Sequence, residues 1–365
     1  MKKKQILRHR LVLGLLLIAA AALFTWAQSV LADSADEDLP PSSFADYFLP
    51  FAQERIYQEP EDYELESSVP ISSFPMIGLE DIVFIPPIPI AEPTPATVTT
   101  LTSEYIQRLM SFDYLVSNIF LVDRYTALFP SDIDTEAFLR TDLRIDTTVT
   151  GPQVLIFHTH SLERFVDSNP LNPMDSVVGV GRHLAELLSN YGIEVLHYTA
   201  QFDVVDGRPQ RRGAYERMEP VIQQVLADNP SIQMVIDLHR DGVREGHGPF
   251  ITYINGERMA RIMFFNGLSR QYRGGQVTEV PWLPNPYQQE NLNLSFRLQL
   301  AANELFPGFA RRAYLREFRY SLHMMPMSMF VEVGNQYNTV DEAMRAMGPL
   351  AEIIAAVVLQ GPSLQ

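Results

Sequence analysis

Short apolar runs alternate with amphipathic helical stripes throughout residues 153–358. The first run, residues 154–157, reads Val-Leu-Ile-Phe, which is typical of a parallel strand that is buried on both faces. Residues 177–189 follow, with apolar residues at the spacing of one helix face. An order in which strands and helices alternate predicts an α/β fold: a three-layer domain with a mostly parallel sheet.

The same patterns predict the other elements of this domain. Further strands are expected at residues 193–198, 234–238, 262–265 and 329–333, and further helices at residues 215–226 and 291–305. The last helix is expected to begin after Thr339, because Thr339 and Glu342 have the spacing of a capping box.

The N-terminal part of the chain has a different composition. Residues 1–10 carry five basic residues and no acid, residues 11–32 are uncharged and mostly apolar, and residues 33–66 carry eleven acids against one base. About 20 apolar residues span a bilayer as a helix, and the basic flank predicts a cytoplasmic N-terminus. We expect a membrane anchor, with a cleaved signal peptide as the alternative.

These features divide the chain into five expected segments. They are a basic cytoplasmic tail (1–10), a transmembrane helix or signal anchor (11–32), an acidic and proline-rich linker (33–98), an N-terminal extension that packs on the next domain (99–150), and the α/β domain itself (151–362).

Composition excludes several classes of function. The net charge of −16 argues against nucleic-acid binding, which relies on basic residues that neutralise phosphates. The chain has no cysteine, which excludes disulfides, thiolate metal sites and cysteine nucleophiles. It also lacks a Gly-x-Ser-x-Gly elbow and a Walker loop, which weakens serine-hydrolase and nucleotide-binding hypotheses. Any metal must therefore be held by histidine and carboxylate.

Residues of this kind occur where three predicted strands end. The first strand is followed by residues 158–163, His-Thr-His-Ser-Leu-Glu, and the third by residues 239–241, His-Arg-Asp, while the last contains Glu332. Ligands bind at the carboxyl ends of parallel strands, and catalytic zinc needs three protein ligands plus an open position for water. The pattern predicts a zinc site at this edge of the sheet.

Three stretches also resemble a known family. Residues 154–160, 235–241 and 330–335 resemble those of stage II sporulation protein P, a membrane-anchored cell-wall hydrolase of endospore-forming bacteria. The resemblance covers about residues 102–359 and includes the connecting pieces at 191–193, 229–232 and 318–320.

The resemblance implies a fold similar to that of the zinc N-acetylmuramoyl-L-alanine amidases. It implies cleavage of the amide between N-acetylmuramic acid and L-alanine, and an endopeptidase activity on stem-peptide crosslinks is also attributed to the family. The expected setting is septal wall remodelling and engulfment during sporulation. The protein would be a single-pass protein of the cell membrane with its catalytic domain outside the cytoplasm, in the intermembrane space during sporulation. The implied partners are stage II sporulation proteins D and M.

The family also implies roles for individual residues. By resemblance, His160 and His239 are zinc ligands and Glu332 is the catalytic carboxylate. Glu163 is our expected third ligand, because it lies past the strand end where the chain can turn back, and His158 is the alternative. These residues define a Zn²⁺ site with one separate carboxylate for proton transfer.

The roles of several neighbouring residues stay open on the sequence alone. Arg240 could bind a stem-peptide carboxylate and join the catalytic group, or it could pair with Asp237 or Asp241. Asp237 could instead support His239, since residues two apart in a strand point to the same side. His183 and His197 are expected to be structural or exposed.

Two other functions remain as alternatives. A zinc peptidase that acts only on wall peptides would use the same site on a different bond. A catalytically silent scaffold that binds glycan would have no need of these histidines and glutamates.

Overall fold

The computed structural model describes residues 81–87, 94–96 and 101–360. The expected cytoplasmic tail and membrane helix, residues 1–32, lie outside the described residues, as does most of the expected linker. Within the described ranges, no helix is both long and apolar enough to cross a membrane.

The described residues form fourteen strands and seven α-helices. The strands are β1 (Ile82–Ile85), β2 (Phe120–Val122), β3 (Val154–Phe157), β4 (Val195–Tyr198), β5 (Val204–Val205), β6 (Arg208–Pro209), β7 (Met234–Asp241), β8 (Ile251–Ile254), β9 (Glu257–Ala260), β10 (Ile262–Gly267), β11 (Arg270–Arg273), β12 (Gln276–Glu279), β13 (Ala310–Arg316) and β14 (Ser328–Asn335). The helices are α1 (Ser103–Leu109), α2 (Phe112–Asn118), α3 (Thr135–Arg140), α4 (Val177–Ser189), α5 (Ala214–Asp228), α6 (Gln288–Leu305) and α7 (Val340–Val358).

Eight strands form the central sheet, in the order β1-β4-β3-β7-β14-β10-β13-β2. Strands β4, β3, β7 and β14 run parallel to one another. Strand β10 is antiparallel to β14, and β13 and β2 follow the direction of β10. The expectation of an α/β fold with a mostly parallel sheet is confirmed. The carboxyl ends of β3, β7 and β14 meet at one edge of this sheet.

The apolar run of β3 has a direct structural reason. Val154 and Ile156 pack into the core that contains α4, α6 and α7, whereas Leu155 and Phe157 pack into the core that contains α5. Successive side chains of a strand point to opposite faces, so a strand covered on both sides needs apolar residues at every position. The helices therefore cover both faces of the sheet around β3.

Both edge strands come from residues that precede the predicted α/β domain. Strand β1 lies within the expected linker and pairs antiparallel with β4, while β2 lies within the expected extension and pairs parallel with β13. Each has only three or four residues, too few for alternation to indicate a strand. The sheet thus reaches further towards the N-terminus than the sequence pattern indicates.

The predicted helix at residues 177–189 matches α4, and the capping box of Thr339 and Glu342 is present at α7. Strand β7 is longer than the predicted 234–238 and extends to Asp241. It stays ordered because β14 pairs with it as far as Asp241, whereas its pairing with β3 ends at Asp237. The candidate site lies where β7 extends beyond the end of its pairing with β3.

Candidate active site and metal-binding residues

Side chains continue the contact between β3 and β7 after the backbone pairing ends. The Thr159 backbone N–H donates to Oδ1 of Asp237 at 2.9 Å, and the Thr159 hydroxyl donates to Oδ2 at 2.7 Å. Asp237 Oδ1 also accepts from Nε2 of His239 at 2.7 Å. Asp237 thus supports His239, as one sequence hypothesis held, and leaves only Nδ1 of that ring for another partner.

The Nδ1 atom of His239 faces Glu163. The distance from His239 Nδ1 to Glu163 Oε2 is 3.3 Å, and both side chains are buried. Burial alone would lower the pKa of His239, but Asp237 and Glu163 outweigh it and raise that pKa to about 10. The ring is therefore a cation between two carboxylates, with one proton on the side where a metal ion could bind.

His160 lies beside this pair and is also buried. Neither of its ring nitrogens has a hydrogen-bond partner within the described residues. The ring contacts Tyr215 of α5 and His239 edge-on, with ring centroids 5.4 Å away in each case. Burial, together with the charge of Arg211, lowers the pKa of His160 to about 3. The imidazole is neutral at pH 7 and offers a free lone pair.

Glu163 is held in place from several directions. Its Oε2 accepts from the backbone N–H of Arg240 at 2.9 Å, and its Oε1 accepts from Nη1 of Arg211 at 2.9 Å. Burial raises the pKa of this carboxyl, but the charges of His239 and Arg211 outweigh burial and hold it well below its usual value. Glu163 is ionised at neutral pH, as a metal ligand must be.

The loop that carries His160 and Glu163 is fixed by Asp203. The hydroxyl of Ser161 donates to Oδ1 of Asp203 at 2.6 Å, and the backbone N–H of Leu162 donates to Oδ2 at 3.0 Å. Asp203 is buried and lies just before β5. No local sequence pattern indicates this contact, because the two loops are about forty residues apart.

His158, the alternative ligand, has both ring nitrogens engaged elsewhere. Its Nδ1 lies 2.8 Å from the carbonyl oxygen of Leu238, and its Nε2 lies 2.9 Å from Nε2 of His197. The structure therefore brings His160, Glu163 and His239 together, and directs His158 towards His197.

Glu332, the proposed catalytic carboxylate, lies next to His239 in the register of β14 and β7. The residue is partly buried, and within the described part of the chain its buried Oε2 has no hydrogen-bond partner. Burial, with the nearby charges of Asp241 and Glu163, raises the pKa of Glu332 to about 8. A carboxyl with this pKa can both accept and release a proton near neutral pH.

Arg240 takes neither of the pairings considered from the sequence. Its Nε donates to the carbonyl of Arg164 at 2.9 Å, and its Nη1 donates to the carbonyl of Asp241 at 3.2 Å. The Asp241 carboxylate instead accepts from Arg311 at 2.6 Å. Arg240 thus ties the loop after β3 to the end of β7, and its proposed contact with substrate stays a prediction.

Phe330, which the sequence analysis did not single out, packs against the ring of His239. Phe330 stacks on the His239 ring, with centroids 4.2 Å apart and planes 4° from parallel. Phe330 is two residues before Glu332, so both side chains lie on the same face of β14. The two-residue spacing from Glu332 was the sequence feature that could have placed Phe330 on the side of the site.

The donor set fits zinc, although no group of three or more His, Cys, Asp or Glu side chains in the described ranges is already arranged to hold a metal ion. Zinc–ligand distances of about 2.0–2.2 Å in a tetrahedral site place two ligand atoms roughly 3.3–3.6 Å apart. His239 Nδ1 and Glu163 Oε2 are 3.3 Å apart. The two nitrogens of His160, which have no partner within the described residues, are the remaining donor atoms beside this pair.

The sequence profile of the stage II sporulation protein P family matches residues 118–355, which is more than half of the chain. The chain belongs to this family. A curated member, stage II sporulation protein P of Bacillus subtilis (strain 168), is 22% identical over 228 residues, which are 57% of this chain and 52% of the relative. The chain spans about half the length of that relative.

Solved structures with some similarity are N-acetylmuramyl-L-alanine amidases. The apo form of Ami1 from Mycobacterium abscessus is 14% identical, with a TM-score of 0.32 over 58% of this chain and 98% of that one. The CwlD amidase from Clostridioides difficile, solved in complex with the GerS lipoprotein, is 13% identical, with a TM-score of 0.34 over 56% and 95% of the two chains. TM-scores of this size do not establish a shared fold.

Proposed function

We propose that this chain is a zinc-dependent peptidoglycan hydrolase that cleaves the amide between N-acetylmuramic acid and L-alanine. The observation that carries the proposal is the buried His160, whose ring nitrogens have no partner in the described residues, beside the His239–Glu163 pair. Glu332 lies one strand away, and its buried Oε2 has no hydrogen-bond partner among the described residues. Membership of the stage II sporulation protein P family supports a role in sporulation.

The proposal includes a location and partners. Residues 11–32 would anchor the protein in the cell membrane, because the basic residues before them and the acids after them favour an exported domain. The enzyme would remodel septal wall during engulfment, with stage II sporulation proteins D and M as partners. These points rest on the charge pattern and on the family.

His160, Glu163 and His239 would hold the metal ion. Zinc supplies Lewis acidity, which polarises the scissile carbonyl and lowers the pKa of a water molecule. Asp237 keeps the proton of His239 on Nε2, so Nδ1 is the atom available for the metal. Phe330 restrains the plane of the same ring from the other strand.

Glu332 would move the proton. Its Oε2 is buried and, among the described residues, unpartnered, so it is free to accept a proton from the attacking water. The same carboxyl can then deliver that proton to the departing amide nitrogen, because burial raises its pKa above that of an exposed glutamate. One positioned group of this kind contributes typically about 10²–10⁴-fold to the rate.

The test is digestion of purified peptidoglycan by the full chain, followed by mass spectrometry of the products. An amidase frees stem peptides that have L-alanine at the amino end, whereas a peptidase acting only on wall peptides leaves the N-acetylmuramic acid linkage intact. Zinc content is measured on the same sample, before and after treatment with a chelator. Cleavage that persists after complete removal of metal would refute the zinc site. A protein without zinc and without cleavage would leave only the scaffold function.

A further inference from the structure

Two buried histidines outside the proposed ligand set form a hydrogen-bonded series that ends next to a ligand. His197 of β4 contacts His158 through their Nε2 atoms at 2.9 Å, and His158 Nδ1 lies 2.8 Å from the carbonyl oxygen of Leu238. Leu238 directly precedes His239. None of the roles proposed above for the metal or for proton transfer involves either ring.

The series has a clear structural cause. Backbone pairing between β3 and β7 ends with Phe157 and Asp237, so the β-ladder no longer supplies a donor for Leu238. The His158 side chain supplies that donor in its place. A buried carbonyl without a partner would cost about 1–3 kcal/mol, so the hydrogen bond from His158 stabilises β7 on the side that β3 no longer covers.

The contacts also fix which nitrogen of each ring carries the proton. A carbonyl oxygen can only accept, so His158 Nδ1 must donate to Leu238 and His158 Nε2 must present its lone pair. That lone pair can only be satisfied if Nε2 of His197 carries a proton and donates it. Both rings are fully buried, and the hydrogen bonds that the structure shows for them go to a backbone carbonyl and to each other, so each ring carries a single proton rather than a buried charge. The direction of donation is therefore His197 to His158 to Leu238.

The surroundings hold the series rigidly. His197 is paired through its backbone with Val83 on one side and Ile156 on the other, and both rings are fully buried. Helix α4 crosses the rings at Gly181, where an added Cβ atom would lie 2.5 Å from Cε1 of His158. A larger residue at position 181 would therefore displace the His158 ring.

We propose that His158 and His197 are positioning residues, which hold the Leu238 carbonyl and thereby fix the backbone from which His239 reaches the metal. The inference rests on the proposed function for the identity of the metal, and on the structure for the series itself. Residues that orient a metal ligand from behind typically change metal affinity or activity about 10–100-fold when they are replaced. Because His197 acts through a second ring, we expect the lower end of this range.

The test compares two substitutions of nearly equal size in the full chain. His197→Gln keeps an amide donor near the position of Nε2, whereas His197→Leu removes it and leaves His158 Nε2 unsatisfied. We expect His197→Leu to weaken zinc affinity about 10-fold, measured by competition with a chromophoric chelator, and His197→Gln to stay close to the unsubstituted protein. His183→Leu, on the half-exposed side of α4, is the control and should have no effect.

Histidine-selective ¹⁵N NMR gives a second readout that needs no zinc. The unsubstituted chain should show His158 protonated at Nδ1 and His197 protonated at Nε2. The opposite tautomer of His158, or equal zinc affinity in His197→Leu and the unsubstituted chain, would overturn the inference. So would His197→Gln binding as weakly as His197→Leu. If His197→Leu does not fold, the tautomers of the unsubstituted chain still decide.

The proposed function can fail separately. If the unsubstituted chain binds no zinc, that function is wrong, and the ring signals of His239 then test the positioning role. In the metal-free protein those signals should shift in His197→Leu and stay unchanged in His197→Gln and His183→Leu. Unchanged His239 signals in all three variants would refute the positioning role as well.

Discussion

Two pairs of buried histidines lie on either side of the point where β3 and β7 separate. The closed pair, His158 and His197, packs under α4, and the open pair, His160 and His239, packs beside α5. Their ring geometries are nearly the same: centroids 5.2 Å apart at 84° in the closed pair, and 5.4 Å apart at 77° in the open pair. Burial and ring geometry therefore do not distinguish them.

The pairs differ in how their nitrogen atoms are satisfied. In the closed pair the two rings bond to each other and to a backbone carbonyl, and among the described residues only Nδ1 of His197 lacks a partner. In the open pair the rings share no hydrogen bond, and neither nitrogen of His160 has a partner among the described residues. An unsatisfied buried polar atom costs about 1–3 kcal/mol, so a fold that retains two of them on one ring has a use for the lone pair. Within the described residues, the candidate functional pair is marked by a ring with two unsatisfied nitrogens, whereas the structural pair has one such nitrogen, Nδ1 of His197.

The largest expected effect comes from removing a ligand of the open pair's site. His160→Ala and Glu163→Ala should each lower bound zinc from about one ion per chain to near zero, because a catalytic site has only three protein ligands. Zinc content and wall cleavage measure this directly. His158→Asn, which can still donate to Leu238, should retain zinc at saturating metal. Loss of metal in His158→Asn with retention in Glu163→Ala would make His158, and not Glu163, the third ligand.

The next effect separates chemistry from metal binding. Glu332→Gln keeps the size of the side chain and removes its ability to accept a proton, so we expect turnover to fall at least ~100-fold while zinc content stays unchanged. Product release from labelled peptidoglycan gives the rate. A variant that emerges without metal would show that Glu332 is a ligand, and Glu163 would then be the first candidate for the general base.

Sequence patterns predicted the central elements well and the edge strands poorly. The helix at 177–189 and the apolar strand at 154–157 follow from periodicity alone, since each segment is long or apolar enough to specify its own burial. Strands β1 and β2 contain three or four residues each and form because partners across the sheet offer a free edge. These partner strands lie more than a hundred residues further along the chain, so local sequence patterns do not indicate the pairing.

The candidate site shows the same limit. The sequence placed His160, Glu163, His239 and Glu332 at one edge of the sheet, because the ends of parallel strands must meet. It favoured Glu163 over His158 as third ligand because Glu163 lies past the strand end, but it could not show where the His158 ring is directed. The partner of His158 is on β4, and only the register of three neighbouring strands brings it within 2.9 Å.

A smaller effect is expected from the carboxylate behind the open pair. Asp237→Asn preserves the shape but removes the charge that holds the proton of His239 on Nε2, and the amide can also turn its NH₂ group towards the ring. We expect zinc affinity to fall about 10–100-fold, measured by chelator competition. Asp228→Asn, at the exposed end of α5, is the matched control. Unchanged affinity in Asp237→Asn would mean that Phe330 and the backbone suffice to orient His239.

The smallest expected effect concerns stability far from both pairs. Asp134 caps α3 by accepting from the Ala137 N–H at 3.0 Å, and Phe138 of this helix packs against Phe296 of α6, 5.9 Å between ring centroids. Asp134→Ala should cost about 1 kcal/mol, which lowers the midpoint of thermal unfolding by about 2 °C and leaves zinc affinity unchanged. A single shifted transition would show that the segment before the α/β domain unfolds together with it. A loss of zinc affinity in this variant would mean that general destabilisation is enough to loosen the site. The weaker binding expected for His197→Leu could then no longer be assigned to one hydrogen bond.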